Sequence, residues 1–190
     1  MKNKLYKQVD KYILDRLKEG DKKCAKRSYK HFERTAYWVK KLKPNTDEAL
    51  LIAAIGHDAE RIFREKVLYG KGESVIATDK IKYHQEKGAE IVCKFLEDCL
   101  ADKGIVSKVY ELISKHEVGG TEEQNILMDA DSISFLENNV DHFLNKKVQE
   151  QGKQNIREKF DWMYNRISSD SAKEIAKPYY EDAIKRLNKI

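Results

Sequence analysis

A chain of 190 residues is long enough for one well-cored domain and short for two. Charged residues make up 36% and apolar ones 41%, which suits long, solvated helices and excludes a membrane-embedded class. The net charge of +5 is the small difference between 37 basic and 32 acidic residues with no block of one sign; this argues against nucleic acid as a partner and suits attraction of a small anionic substrate.

The N-terminal stretch "MKNKLYKQVDKYILDRL" is charged throughout and has no apolar signal core. No apolar run in the chain approaches the ~20 residues of a membrane span, so no membrane partner is expected. Leu5, Val9, Tyr12, Ile13 and Leu17 follow helical spacing and predict a first helix over residues 1–20. Phe32, Thr35, Trp38, Val39 and Leu42 predict a second, stopped before Pro44. "NTDEALLIAAIGHDAERIF" opens on a capping run at Asn45 to Asp47 and reads as one helix to about Phe63. Residues 65 to 78 hold two glycines and little periodicity, and read as a loop or lid.

Asp79 can cap a long helix that ends near Gly104, and residues 105 to 116 form a shorter one terminated by Gly119 and Gly120. "EEQNILMDADSISFLENNV" is the next helix, and two more, near 154–167 and 171–188, complete the chain. There is no internal repeat and no linker. The expected fold class is all-α, a single-domain helical bundle over residues 1–190. Cys24, Cys93 and Cys99 show no CxxC spacing, so free thiols in a reducing cytoplasm are expected.

The five histidines are unevenly placed. His31, His57, His84 and His116 fall on four separate predicted helices, whereas His142 stands apart and reads as a packing residue. The intervals are 26 residues from His31 to His57, 26 from Asp58 to His84, 32 from His84 to His116 and 15 more to Asp131. A helix and its turn take about this many residues, so each interval can return the chain to one place in a bundle, where facing helices build metal sites. Imidazole and carboxylate together suit first-row divalent ions. Asp129 competes with Asp131, but residues two apart on a helix point to different sides, so only one should ligate directly.

The ordered series His31, His57-Asp58 and Asp131 resembles the signature of the HD superfamily of metal-dependent phosphohydrolases, and "ADSI" at 130–133 is similar to that family's Ala-Asp-x-Leu ending. The resemblance covers about residues 28–135 and implies an HD-type bundle. The N-terminal helix 1–20 and C-terminal helices 140–190 would pack on that core. It further implies a two-metal site, with His31, His57, Asp58 and Asp131 on one ion and Asp58, His84 and His116 on the other. The cofactor is then two divalent ions, iron, manganese or another first-row metal, and the partner a small phosphorylated substrate such as a nucleotide.

Many members read His-Asp-x-Gly-Lys, whereas this chain reads His57-Asp58-Ala59-Glu60-Arg61. Arg61 keeps a cation at the lysine position and Glu60 replaces the small residue, a change that bears on substrate class more than on metal binding. The expected catalytic set is Asp58, Arg61 and Lys115, with Lys82 as a further cation and Glu117 as a candidate acid or base. The same six-ligand order implies two alternatives: a mixed-valence diiron oxygenase similar to myo-inositol oxygenase, and a non-catalytic metal-binding regulatory module.

Overall fold

The computed structural model describes residues 3–19, 22–64 and 78–190, the side chains of 22–24 aside. All regular structure among them is helical: α1 (Lys4–Lys18), α2 (Lys22–Leu42), α3 (Glu48–Gly56), α4 (Ala59–Phe63), α5 (Thr78–Asp98), α6 (Lys103–Ile113), α7 (Glu122–Asn138), α8 (Val140–His142), a π-helical turn (Phe143–Lys147), α9 (Val148–Gln151), α10 (Lys153–Asn165) and α11 (Asp170–Leu187). The expected lid over 65–78 lies outside the described residues except for Thr78, which opens α5. None of the described helices is long and apolar enough to cross a membrane.

Two helices form the inner frame, and each is buried on every side. In α3, Ala49 to Gly56 are all buried, as expected of an apolar run with no polar face. It packs against α1, α2 and α6. In α7, Leu127 to Leu136 are all buried even though the run contains Asp129, Asp131, Ser132 and Ser134. This helix lies between α2 and α11 and touches α10 as well. Outer helices show one-sided burial; Val9, Ile13 and Leu17 are the inward stripe of α1.

Two points depart from the one-dimensional reading. The helix expected over Asn45 to Phe63 is capped by the Asp47 side chain, which accepts from the Leu50 amide 3.0 Å away, but it breaks at His57-Asp58 into α3 and α4. Helix α2 also starts ten residues before Phe32 and so carries His31 within it.

Apolar packing falls into two clusters. One gathers α1, α2, α3, α5 and α6 around Leu50, Ile52, Ile55, Val92 and Ile113. The other joins the C-terminal half of α7, from Ile133, to α10 and α11 through Phe160, Met163 and Leu187. A cavity of about 40 Å³ is lined by Asp58, Arg61 and Asp131 together with Phe143, Lys159 and Met163.

Candidate metal centre

Four histidines reach the cavity region from four different places. His31 comes from α2 and His84 from α5, while His57 and His116 sit in the turns that end α3 and α6. The positions in the turns have a local cause. The last carbonyls of a helix lack intrahelical partners, and each of these imidazoles supplies one. His57 Nδ1 lies 2.8 Å from the Ala54 carbonyl and His116 Nδ1 lies 2.7 Å from the Ile113 carbonyl.

The other two rings are held in the same sense. His84 Nδ1 is 2.8 Å from Glu60 Oε2. His31 Nδ1 is 2.8 Å from Ser134 Oγ, whose own proton goes to the His31 carbonyl, also 2.8 Å away. Carbonyls and carboxylates only accept, and the Ser134 hydroxyl has already donated, so in each case Nδ1 carries the proton. All four rings therefore turn Nε2 inward, and an outer-shell partner fixes the tautomer a metal ligand requires.

The inward atoms converge. Asp131 Oδ1 lies 3.1 Å from His31 Nε2 and 3.3 Å from His57 Nε2. Asp58 Oδ1 lies 2.8 Å from His84 Nε2 and 3.9 Å from His116 Nε2, while its Oδ2 is 4.0 Å from His31 Nε2. Among the described residues, three buried groups could hold a metal ion, each with its ligand atoms within 4.8 Å of one another: His31–His57–Asp131, Asp58–His84–His116 and His116–Glu117–Asp131. Asp58 stands between the first two. It owes this position to the break in the helix, which turns its side chain toward both sets of rings.

Donor chemistry fits a cation. His116 Nε2 is buried and has no hydrogen-bond partner, an orphaned lone pair of the kind native interiors avoid. Burial pulls His116 down to about 4, so the ring stays neutral and the lone pair stays available. Burial works on His57 in the same direction, but Asp58 and Asp131 outweigh it and push His57 up to about 9, so this spot attracts positive charge. Against the cost of burial, Arg61, His57 and His84 hold Asp58 well below the usual carboxylate range, and Arg166, His57 and His31 do the same for Asp131. Both stay ionised and ready to ligate.

Asp129 does not join them. Its carboxylate accepts from the backbone amides of Ser168 and Ser169, at 2.7 and 3.1 Å, and from both hydroxyls, so it ties α7 to the start of α11. Arg61 is at the centre, with Nε 2.9 Å from Asp58 Oδ1 and Nη2 3.4 Å from Glu117 Oε1. Lys115, expected beside it, is exposed: the ring of His116 turns inward to the Ile113 carbonyl and the neighbouring side chain is left facing outward. Lys82 is also on the surface, 3.9 Å from Glu86. His142 lies apart from the centre, its Nδ1 3.3 Å from Arg27 Nη1. The Gly119–Gly120 turn adopts left-handed backbone and packs on the start of α7, where the Gly120 amide donates to Asn125 Oδ1.

Two cations at the centre were not expected. Arg166, which caps α10, pairs with both Asp131 and Glu117 and donates to Ser132 Oγ at 2.8 Å. Burial works against the Glu117 charge, but Arg166 dominates and holds its carboxyl far below the ordinary value. Glu117 is thus a charge partner of Arg166 here. Lys159 is the other. It shares the inward stripe of α10 with Ile156, Phe160 and Met163, at i, i+3, i+4 and i+7, and a lysine in that stripe is a legible signal.

Four inward-facing imidazoles and two shared carboxylates in an all-α domain define a protein built so that it could hold metal ions. The chain belongs to the family described as Domain of unknown function (DUF4202), which it matches over residues 12–187. No curated protein and no solved structure matches it.

Proposed function

We propose that the protein is a metal-dependent phosphohydrolase of the HD type, acting on a nucleotide or another small phosphate ester. The supporting observation is the charge balance of the cavity. Its three buried carboxylates, Asp58, Glu117 and Asp131, are equalled in number by three cations, Arg61 and Arg166, which pair with them, and Lys159, which lines the same cavity. Every charge that metals bring is then left over, and a multiply charged anion is the occupant that complements it.

His31, His57, Asp58 and Asp131 would hold one ion, and Asp58, His84 and His116 a second, with iron, manganese or another first-row metal suited to this donor set. A divalent ion in such a site supplies Lewis acidity, which makes a bound water more acidic and neutralises charge on phosphoryl oxygens. Arg61 and Arg166 keep Asp58 and Asp131 ionised and aimed inward. Burial of the centre between two apolar clusters keeps bulk water away from these charges, which strengthens every interaction among them.

The test is a panel of nucleotides and phosphate monoesters assayed under nitrogen with metal-stripped protein reloaded with manganese. Release of phosphate or of a nucleotide product is expected, because Lewis-acid work needs no redox change. Turnover that required iron and consumed oxygen would overturn the reading in favour of an oxygenase.

A further inference from the structure

We infer that Lys159 is the anion-holding residue of this site, its ammonium binding an oxygen of a tetrahedral oxyanion in the cavity it lines with Asp58 and Asp131. The inference rests on the phosphohydrolase reading for the kind of anion, and on the following geometry for the residue.

Lys159 is 5% exposed and lines the cavity that Asp58 and Asp131 face. The other two cations there are committed: Arg61 to Asp58 and Glu117, Arg166 to Asp131 and Glu117. Among the described residues no carboxylate lies within ion-pair distance of the Lys159 ammonium. Its contacts are ring faces instead, with Nζ 4.2 Å from the centre of the Trp162 ring and 5.5 Å from that of Phe135. Aromatic faces hold a cation without satisfying its three donors.

A buried ammonium with unused donors costs stability unless something fills it. Burial pulls Lys159 down to about 8, opposed by Glu117 and aided by Arg166 and Arg61, so it still carries its charge at neutral pH. The cavity has room for about three waters, by the ~10–15 Å³ that one requires, and so for a compact group such as one phosphoryl oxyanion. Phe135, Phe143 and Met163 also line the cavity and offer such an anion no donor; of the other N–H donors there, Arg61 is engaged by Asp58 and Glu117, and Asn139 carries no charge. Lys159 comes from α10, beyond the 28–135 stretch that carries the likeness to HD hydrolases, so this chain's own C-terminal helices would complete the site.

Inorganic phosphate is the probe. Manganese-loaded wild-type protein, Lys159→Met and Lys159→Arg are titrated with phosphate by calorimetry, and metal content and thermal midpoint are recorded for each. The expected result is at least a tenfold loss of phosphate affinity in Lys159→Met, partial recovery in Lys159→Arg, and unchanged manganese. The midpoint of Lys159→Met should stay level or rise, since an apolar side chain of similar volume replaces a buried unpaired charge. If Lys159→Met misfolds, Lys159→Gln serves the same purpose. Wild-type affinity for phosphate in Lys159→Met or Lys159→Gln, or no phosphate binding by the loaded wild-type protein, would overturn the proposal; so would a fall in midpoint of Lys159→Met with affinity retained, which marks a structural cation. Phosphate binding that depends on Lys159 in a protein that hydrolyses no ester would leave this inference standing and remove only the hydrolase reading.

Discussion

Glu60 stands directly behind His84, its Oε2 2.8 Å from the ring Nδ1 with both side chains buried. The residue that departs from the HD pattern is therefore hydrogen-bonded to a candidate ligand, and it pairs with Arg64 as well. Glu60→Ala should weaken binding of the metal held by His84 about 10–100-fold, as loss of such partners does. Metal titration by calorimetry checks it, and an unchanged affinity would show that Glu60 does not orient the ring.

The two aspartates of "DAD" should separate in their effects. Asp129 holds two backbone amides and two hydroxyls at the entry to α11, so Asp129→Ala should cost about 2–3 kcal/mol of stability while metal content per folded chain is kept. Asp131→Ala should instead lose metal. Denaturant unfolding and metal analysis on both variants make the comparison, and a loss of metal in Asp129→Ala equal to that in Asp131→Ala would contradict it.

Gly88 lets α5 approach the His57-Asp58 turn. A Cβ there would lie 3.1 Å from the His57 carbonyl oxygen and 3.7 Å from the Glu60 amide nitrogen. That neighbour is buried backbone with little room to yield, so Gly88→Val should cost about 2 kcal/mol or more by overpacking. Because the push falls on the turn that aims His57 and Asp58, metal affinity should drop with it. A valine variant as stable and as metal-rich as wild type would mean that the close approach is incidental.

The metal-free protein should be most stable near pH 6.5. His57 is raised from 6.5 to about 9, so its contribution is complete below 6.5 and is lost as pH climbs toward 9. His116 is lowered from 6.5 to about 4, so its contribution is present above 6.5 and is lost as pH falls toward 4. Below that, protonation of Asp58 and Asp131 removes theirs. A metal takes the place of the proton on His57, so loaded protein should keep its midpoint on the alkaline side where chelated protein loses it. Thermal melts across this range with and without chelator test the claim; a chelated protein with a flat profile would contradict it.

Much of the fold was legible because helical periodicity is a local signal: Val9, Ile13 and Leu17, or the unbroken apolar run of α3, declare themselves in one dimension. The start of α2 was not, since "KKCAKRSY" carries no apolar stripe and is helical as part of a longer element. The break at His57-Asp58 was hidden for the opposite reason. Periodicity continues through it, and the break shows only in three dimensions, where Asp58 sits in the turn between α3 and α4. Histidine spacing pointed to the six residues that the structure brings together, but not to what lies behind them. Ser134, Glu60 and the carbonyls of Ala54 and Ile113 are partners set by packing, and nothing in the local pattern marks Arg166. Lys159 was readable as a charge in an apolar stripe.

The central claim is that Asp58 stands between two metal sites. Elemental analysis of purified protein, reloaded with manganese or iron and freed of excess, measures it directly in the wild type, Asp58→Ala and His142→Ala. The expected result is close to two ions per chain in the wild type and in His142→Ala, with most of the metal lost in Asp58→Ala. Equal metal in all three, or equal losses in both variants, would contradict it.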